Sequence, residues 1–370
     1  MHSFDKNPVE IASKLVSKGI KEFEALRYMR SVELFIRAYN VGDLPDEVAA
    51  TCAFNVATTL MDVSEYTRAL QWCDRSLSHR FDHNVAYTRS LILMHLQNRE
   101  AGLKSYHHRY LKTATDAVSF PKLPLEFYDS KIECGEVFVD KRVLVLNEQG
   151  FGDEIMFLRT MEHLNRLVKS AHVQVYPELY ELIKTTQSHK FNNITFFCER
   201  SLSLEFVNSF DCWTSTGCLW AQFTLNNVPM QPLHFEPIVA EKSDKFRIGF
   251  ILSPNKKSKN SIARSIDEKY IKQLTKLPNV EVVNLQYGTT YNWCNSANIE
   301  SFYDTYKEMS AVDLIICCDT GAAHLAVGMS KPFFLVYNGY IDWRWADSTY
   351  YPDAKKVKAA QLLNRVKELL

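Results

Sequence analysis

The residues best suited to binding an anion lie where a strand runs directly into a helix. The apolar residues 314–317 predict a buried strand, and Asp319, Thr320 and Gly321 follow it, with His324 one turn later. At such a joint the unpaired N–H groups and the positive end of the helix dipole point at one position. A phosphate is the anion that most often binds there.

A second joint of the same kind occurs about half the chain earlier. Residues 143–146 predict a strand, and Gly150 and Gly152 predict a tight turn into a helix that carries Asp153 in its first turn. The glycine pair lacks the third glycine of the dinucleotide fingerprint, which argues against nicotinamide binding. Two joints in two strand–helix regions predict two α/β domains that face one cleft.

Composition restricts the classes of function. The chain has 370 residues, of which 46% are hydrophobic and 23% charged, as in an ordinary protein of two or three domains. Its 43 Lys and Arg balance 43 Asp and Glu, so no overall field favours nucleic acid or anionic membrane. No apolar run approaches the roughly 18 residues of a membrane span, and the N-terminus lacks a signal-peptide core. Nine scattered cysteines without a C-x-x-C pair indicate reduced thiols, so we expect a cytoplasmic protein.

The first part of the chain, residues 1–118, is predicted to be helical and repetitive. Residues 65–77 repeat the pattern of residues 27–39, and a weaker copy runs through residues 99–110. The spacings of 38 (65 − 27) and 34 (99 − 65) residues, with a small residue followed by an aromatic one, resemble the tetratricopeptide repeat. The alternative is an unrelated helical bundle. A repeat module would offer a surface for a protein partner.

The remainder is predicted to form two α/β domains, residues 119–240 and 241–370. Prolines at positions 121 and 124 mark the exit from the helical part, and the polar residues 229–243 are interpreted as the hinge between the domains. Strand-like runs alternate with amphipathic helices, a pattern typical of parallel sheets covered by helices. Apolar spacing predicts one helix over about residues 154–169 and another over about residues 355–370.

Four motifs in sequence resemble the heptosyltransferase-type glycosyltransferases, of the glycosyltransferase family nine type, especially members fused to tetratricopeptide repeats. The motifs occupy residues 150–159, 253–265, 319–326 and 342–345. The resemblance implies the GT-B fold, with two Rossmann-like domains, the acceptor on the first and a nucleotide-sugar donor on the second. It also implies inversion at the anomeric carbon without a metal, and no cofactor besides the nucleotide-diphosphate sugar.

The joint after residue 317 is the expected donor site. Backbone N–H groups of Thr320, Gly321 and Ala322 would face the diphosphate, and the absence of a side chain on Gly321 lets it approach. Asp319 and Gly321 have the alternative interpretation of a helix cap and a tight turn. His324 has two interpretations as well, a contact to phosphate or sugar and a packed, hydrogen-bonded residue.

Cations and two polar residues near other strand ends complete the predicted donor site. By the family's pattern, Arg264 is the first candidate to bind phosphate and Lys259 the second, whereas a solvated basic loop is the alternative. Gln286 and Tyr287 follow a predicted strand and are placed by topology to contact the nucleoside. Residues 261–262 depart from the acidic–basic pair of repeat-fused relatives, which weakens any assignment of the donor.

By the resemblance, Asp153 occupies the place of the catalytic base. A transfer to a hydroxyl requires a carboxylate that accepts the acceptor's proton. Glu148 and Glu154 are the reserve candidates, and a simple partner of the helix dipole is the alternative for Asp153. The chain contains no D-x-D pair and no Asp, Glu, His and Cys cluster with metal-ligand spacing. We therefore expect no metal at the site.

The aromatic segment near the end of the second domain should lie beside the cleft. Asp342, Trp343 and Arg344 are candidates for sugar or acceptor binding, together with Gly150 and Gly152 on the first domain. Sugars stack on aromatic rings, but core packing of the tryptophan is an equal alternative.

Together with what the resemblance implies, these features predict a cytoplasmic, inverting, metal-independent glycosyltransferase. No motif identifies the acceptor, so a saccharide or protein hydroxyl and a hydroxylated base of phage DNA both remain open. Zero net charge disfavours DNA, although a local basic groove is sufficient for phosphate contacts. A third interpretation is a binding protein whose repeats recruit a partner and whose GT-B part has lost catalysis.

Overall fold

The computed structural model describes residues 7–111, 122–129, 135–240, 243–254, 261–347 and 349–370. The chain divides into two compact units, residues 1–121 and 122–370. The boundary predicted between residues 118 and 119 lies outside the described residues, and the one between 240 and 241 adjoins a gap in them. Lys259 also lies outside them.

Within its described residues, the first unit consists of helices joined by short turns. The helices are α1 Pro8–Glu24, α2 Tyr28–Tyr39, α3 Asp46–Asp62, α4 Tyr66–His79, α5 His83–His95, α6 Arg99–Lys104 and a 3₁₀ helix at Tyr106–Tyr110. Phe35, Val56, Leu60 and Trp72 form the centre of a hydrophobic core between them. The predicted helical nature of this part is confirmed for residues 7–111.

The turns inside successive helix pairs repeat the same geometry. Leu26, Ser64 and Gln97 have positive φ angles of 60°, 63° and 61°, one in each of the pairs α1–α2, α3–α4 and α5–α6. In each turn the next residue donates its N–H to the carbonyl five residues earlier, over 2.9 Å. This is the bond that closes a helix with a left-handed residue after it. The unit is therefore built from repeated helical hairpins, and its assignment as tetratricopeptide repeats stays a prediction.

The second unit contains two sheets in which all recorded strand pairs are parallel. The first sheet has the order β1-β5-β2-β3-β4, with β1 Glu126–Phe127, β2 Arg142–Leu146, β3 Ser170–Gln174, β4 Ile194–Phe197 and β5 Cys212–Ser215. The second has the order β11-β10-β9-β6-β7-β8, with β6 Phe246–Ile251, β7 Val280–Asn284, β8 Asn295–Ser296, β9 Leu314–Cys317, β10 Phe333–Tyr337 and β11 Lys355–Lys358.

Helices connect the strands of both sheets. They are α7 Phe151–Phe157, α8 Met161–Leu167, α9 Pro177–Gln187, α10 Leu204–Val207, α11 Thr216–Leu225, α12 Ser261–Arg264, α13 Lys269–Lys272, α14 Phe302–Ser310, α15 Gly321–Gly328, α16 Trp343–Ala346 and α17 Leu362–Lys367. Short 3₁₀ helices occur at Gly135–Phe138, Leu158–Thr160, Ser188–Lys190, Leu274–Lys276 and Ala359–Gln361. The central strands β2 and β9 are buried on both faces because helices cover the sheets.

The strand orders place a switch point in each sheet. Read from β8 to β11, the second sheet has the Rossmann order, and the side on which successive strands are added reverses between β6 and β9. The first sheet reverses in the same way between β2 and β5. Ligands of such sheets bind beyond the carboxyl ends of the strands at this position. The predicted fold class, two Rossmann-like domains after an all-α module, is confirmed.

Of two helices expected from apolar spacing, one is present with an interruption and the other was largely wrong. The helix expected over 154–169 begins at Phe151 and is interrupted by the 3₁₀ turn Leu158–Thr160 before α8. The helix expected over 355–370 is reduced to α17, because residues 355–358 pair with β10 as an edge strand. In that strand only Val357 is buried and the lysines are exposed, a pattern that protects a sheet edge and that also fits an amphipathic helix.

No helix among the described residues combines the length and apolar character that crossing a membrane would require.

Candidate functional site

The joint between β9 and α15 is built from small residues and a buried acid. Thr320 occupies the helix N-cap position in an extended conformation, and its carbonyl accepts the N–H of Ala323 over 3.0 Å. The N–H groups of Gly321 and Ala322 precede this first intrahelical bond. The Asp319 carboxylate is therefore not the cap.

Asp319 instead anchors two neighbouring side chains. Its Oδ1 accepts the indole N–H of Trp345 over 2.8 Å, and its Oδ2 lies 3.5 Å from Nη1 of Arg264. Burial raises the pKa of Asp319, and the negative charge of Asp342 acts in the same direction. The Arg264 charge opposes both effects. The structure thus brings Arg264, on the short helix α12, directly to the start of α15.

Gln286 and Tyr287 are adjacent in the chain but have different surroundings. The Gln286 Oε1 accepts the N–H groups of Leu252 and Ser253 over 3.1 and 3.0 Å, so this side chain fixes the loop after β6. Tyr287 is 68% exposed. Gln286 therefore supports the edge of the predicted site, and Tyr287 presents a free ring surface beside it.

His324 lies one turn into α15 and is only 4% exposed. Its Nδ1 is 2.5 Å from the hydroxyl of Tyr351, and its ring packs on Trp345 with centroids 4.6 Å apart. Burial lowers the pKa of His324 well below its usual range, and the charges of Arg344 and Arg159 act in the same direction. The imidazole is therefore neutral at pH 7.

The joint between β2 and α7 holds the predicted base in an ion pair. Asp153 Oδ2 accepts the N–H of Gly150 over 3.2 Å, and Oδ1 accepts a hydrogen bond from Nη2 of Arg344. Nη1 of the same guanidinium donates to Asp342 Oδ1 over 2.7 Å. Arg344 therefore links a carboxylate of the first sheet's domain to one of the second, and three predicted site residues form one network.

The two joints touch through their glycines. A Cβ added to Gly152 would lie 2.7 Å from Cδ2 of His324 and 3.4 Å from Cα of Gly321. A Cβ added to Gly321 would lie 3.4 Å from the Gly152 nitrogen and 3.2 Å from the Phe302 ring. The absence of side chains at both positions allows α7 and α15 to approach. The structure therefore places the start of α7, which carries the candidate base, against the start of α15, which carries the candidate phosphate site.

The two reserve carboxylates, Glu148 and Glu154, are buried in the domain of the first sheet. Glu148 accepts the Ser215 hydroxyl over 2.6 Å and Glu154 the Thr216 hydroxyl over 3.1 Å, and both glutamates are buried. Burial raises the pKa of Glu154 well above its usual range. Their partners belong to the β5–α11 joint, so these acids join two joints of the first sheet.

The tryptophans of α16 are core residues in the structure. Trp343 is 2% exposed and packs against Trp220 and Tyr350, with centroids 5.8 and 5.5 Å apart. Arg344 covers another part of the Trp343 ring, 4.3 Å from its centroid. The sugar-binding role predicted for Trp343 would need part of this packing to open.

Sequence reasoning did not select Arg159 or Tyr351. Arg159 Nη1 donates to the Tyr350 carbonyl over 3.0 Å, and its guanidinium lies 4.9 Å from the Tyr351 ring centroid. Arg159 is the last residue of the first motif, and this position could have marked it as a candidate site residue. Tyr351 follows the last motif with no pattern of its own. Across the described ranges, no group of three or more His, Cys, Asp or Glu side chains is arranged to hold a metal ion.

Comparisons with known proteins give one relative by sequence and several by structure. No family model matches the chain. Over 340 residues it is 22% identical to Protein FlbA of Caulobacter vibrioides, an alignment that covers 80% of this chain. The chain spans 56% of that protein's length.

The solved structures to which the chain is similar include E. coli heptosyltransferase WaaC with ADP, at 9% identity and a TM-score of 0.42, over 62% of this chain and 98% of that one. They also include a family 9 glycosyl transferase of Veillonella parvula, at 10% identity and a TM-score of 0.43, over 63% of this chain and 90% of that one.

Proposed function

We propose that this protein is an inverting glycosyltransferase that moves a sugar from a nucleotide-diphosphate donor to an acceptor hydroxyl without a metal. The observation that carries the proposal is the contact of Gly152 with Gly321 and His324. It supports one cleft in which a carboxylate beside Gly152 and the first turn of α15 act on the same substrate pair.

The donor diphosphate is assigned to the start of α15. The backbone N–H groups of Gly321 and Ala322 donate hydrogen bonds to phosphate oxygens, and the helix dipole stabilises the negative charge. Arg264, already within 3.5 Å of Asp319, supplies a positive charge beside them. These groups stabilise the nucleoside diphosphate as it leaves. Lys259 remains the second candidate cation.

Asp153 is assigned as the base. Arg344 and the Gly150 N–H each occupy one lone pair of a different carboxylate oxygen, and each oxygen retains a second lone pair. Asp153 takes the proton of the acceptor hydroxyl while the oxygen of that hydroxyl bonds to the anomeric carbon. The bond from this carbon to the phosphate oxygen breaks, and its electron pair leaves with the diphosphate. Attack opposite to the leaving group inverts the anomeric configuration.

The acceptor is a hydroxyl of a saccharide or protein, which we place ahead of a hydroxylated DNA base because the chain has zero net charge. Arg344 and Asp342 lie next to Asp153 and are assigned to the acceptor side, with Gly150 and Gly152. The helical hairpins of residues 7–111 are assigned to binding the acceptor or a protein partner. The protein is assigned to the cytoplasm.

The first test is binding of nucleotides to the full chain. Isothermal titration calorimetry is done with ADP, GDP, UDP and CDP and with the corresponding monophosphates, each with saturating EDTA. We expect one diphosphate to bind, and to bind more tightly than its monophosphate. A nucleotide-sugar screen by thermal shift then identifies the sugar, since a ligand specific to the folded state raises the melting temperature. Binding that requires added manganese or magnesium would contradict the metal-independent site.

The second test is the stereochemistry of the product. With the identified donor and a panel of saccharide, protein and hydroxymethylated DNA acceptors, proton NMR of the product gives the anomeric configuration. We expect it to be opposite to that of the donor. A retained configuration would contradict the single displacement by Asp153, and nucleotide binding without transfer to any acceptor would favour the non-catalytic interpretation.

A further inference from the structure

The orientation of His324 is determined by two contacts on opposite edges of its ring. Nδ1 lies 2.5 Å from the Tyr351 hydroxyl. The other edge faces Gly152, where an added Cβ would be 2.7 Å from Cδ2 and 3.1 Å from Nε2. The edge of the ring that carries Nε2 therefore faces Gly152 in the first turn of α7, the residue that precedes Asp153 in the chain.

Tyr351 is held in place by packing from both domains of the second unit. It is 3% exposed, and its ring stacks on Trp345 with centroids 4.5 Å apart and planes 23° from parallel. Arg159, from the first sheet's domain, lies over the ring at 4.9 Å. A buried ring with these neighbours has little freedom to move its hydroxyl away from His324.

The hydrogen bond between these residues has a defined direction. Burial raises the pKa of Tyr351 to about 12, so the phenol keeps its proton at neutral pH. In the described part of the chain, Nδ1 of His324 is the acceptor found within hydrogen-bond distance of that hydroxyl. A buried O–H group that has one available acceptor donates to it, so Nδ1 accepts and carries no hydrogen.

We propose that Tyr351 is a positioning residue that fixes His324 in the tautomer with its hydrogen on Nε2. His324 then donates a hydrogen bond into the cleft, to an oxygen of the nucleotide-diphosphate sugar. It does not accept the proton of the acceptor hydroxyl, which leaves that role to Asp153. The identity of the bonded oxygen as part of the donor rests on the proposed function, whereas the tautomer does not.

The tautomer is measured without any ligand or assay of activity. Nitrogen-15 NMR of histidine-labelled protein distinguishes the two tautomers of a neutral imidazole, and comparison with His324→Gln assigns the signal. We expect the Nε2–H form in the unaltered chain and a mixture in Tyr351→Phe. The matched control is Tyr306→Phe, which removes a buried hydroxyl that donates to the Glu236 carbonyl and should leave the His324 signal unchanged.

Two outcomes of this measurement overturn the proposal. An Nδ1–H tautomer in the unaltered chain would make Nε2 a proton acceptor and His324 a competing base. An unchanged Nε2–H form in Tyr351→Phe, with the fold intact by circular dichroism, would show that Tyr351 does not select the tautomer. Both outcomes are independent of whether the protein is a transferase.

Nucleotide affinity tests the role of the donated bond. Calorimetry with the diphosphate that binds best should show an affinity about twofold to tenfold weaker for Tyr351→Phe. Glutamine can place an N–H near the position of Nε2 and asparagine cannot, so His324→Gln should bind more tightly than His324→Asn. In the His324→Gln background, Tyr351→Phe should have no further effect.

Additive losses from Tyr351→Phe and His324→Gln would contradict the coupling, because independent sites add and coupled ones do not. If no nucleoside diphosphate binds the unaltered chain, the donor assignment fails while the NMR result still decides the tautomer.

Discussion

The two sheets of residues 122–370 begin alike and end differently. At the amino end of the first sheet, the Arg142 N–H donates to the Asp211 carboxylate over 2.8 Å and the Asp211 N–H returns to the Arg142 carbonyl over 2.8 Å. In the second sheet, Arg247 and Asp313 form the same pair of bonds at the same distances. The same arrangement thus starts the two strands that flank each switch point.

The carboxyl ends of those strands have diverged. The joint at the end of β2 in the first sheet carries the carboxylate of Asp153, which is paired with Arg344. The second sheet ends in a joint of small residues, with backbone N–H groups and the neutral His324. The amino ends hold neighbouring strands together, and the carboxyl ends carry the groups that can react or bind. Under the proposed function, the first joint carries out proton transfer and the second binds phosphate.

The largest effect should follow from removing the carboxylate of the first joint. Asp153→Asn should lower turnover by roughly two to four powers of ten, the usual contribution of a general base, while nucleotide affinity changes little. Turnover and calorimetric affinity are measured on the same preparations. Glu162→Gln, an exposed carboxylate on α8 paired with Arg166, is the control. Unaltered turnover in Asp153→Asn would remove this residue from the mechanism.

A smaller, separate effect should follow from changes at the second joint. Arg264→Ala removes a charge-assisted phosphate contact worth about 1.5–3 kcal/mol, which is roughly a tenfold to hundredfold loss of nucleotide affinity. Gly321→Val should also weaken binding, because a Cβ would already lie 3.2 Å from the Phe302 ring. Acceptor binding should be spared. The control is Arg365→Ala, which removes an exposed arginine paired with Glu368 on the surface.

One result would reverse the comparison between the joints. If Asp153→Asn abolishes nucleotide binding and Arg264→Ala leaves it intact, the two domains have exchanged roles. Equal losses in both variants, with normal melting temperatures, would indicate a nucleotide that spans both joints.

The contact between the joints is tested by stability. Gly152→Ala forces a Cβ to within 2.7 Å of His324, whose ring Tyr351 holds in place, and overpacking of this kind costs about 1–3 kcal/mol. Gly150→Ala meets only the Asp153 carboxylate, at 3.4 Å. Thermal unfolding should therefore show a loss of several degrees for Gly152→Ala and a clearly smaller one for Gly150→Ala. Equal losses would mean that the joints do not touch in solution.

The sequence predicted the parts of the site that follow from local pattern. Residues 314–317 are apolar and precede Thr320 and Gly321, so the strand, the N-cap region and the helix start could all be placed. The parallel pairing of β6 and β9 then brings the end of β6 next to this joint. The sequence assigned both Arg264 and Asp319 to the expected donor site, and in the structure Nη1 of Arg264 lies 3.5 Å from Oδ2 of Asp319.

Contacts between the two sheets could not be predicted in this way. Asp153 and Arg344 are 191 residues apart, and their pairing depends on how one domain packs on the other. The same holds for Arg159 and the Tyr350 carbonyl. Trp343 and Tyr351 lie in the aromatic segment that follows β10, and no periodicity shows whether such rings face a ligand or a core. Their burial follows from the packing of α16 against both domains.

The smallest effect should come from the amino end of the first sheet. The hydrogen bonds from Arg142 lower the pKa of Asp211 from 3.8 to about 2, so the stabilisation is complete above about pH 4 and is lost as the pH falls towards 2. Because both side chains are partly exposed, water and salt screen the pair. Asp211→Asn should lower the melting temperature by a few degrees at most at pH 7, with turnover unchanged, and the difference from the unaltered chain should vanish near pH 2. A difference in melting temperature that persists at pH 2 would mean that the ion pair is not its cause. A loss of turnover at pH 7 would mean that the amino ends of the strands also affect the reaction.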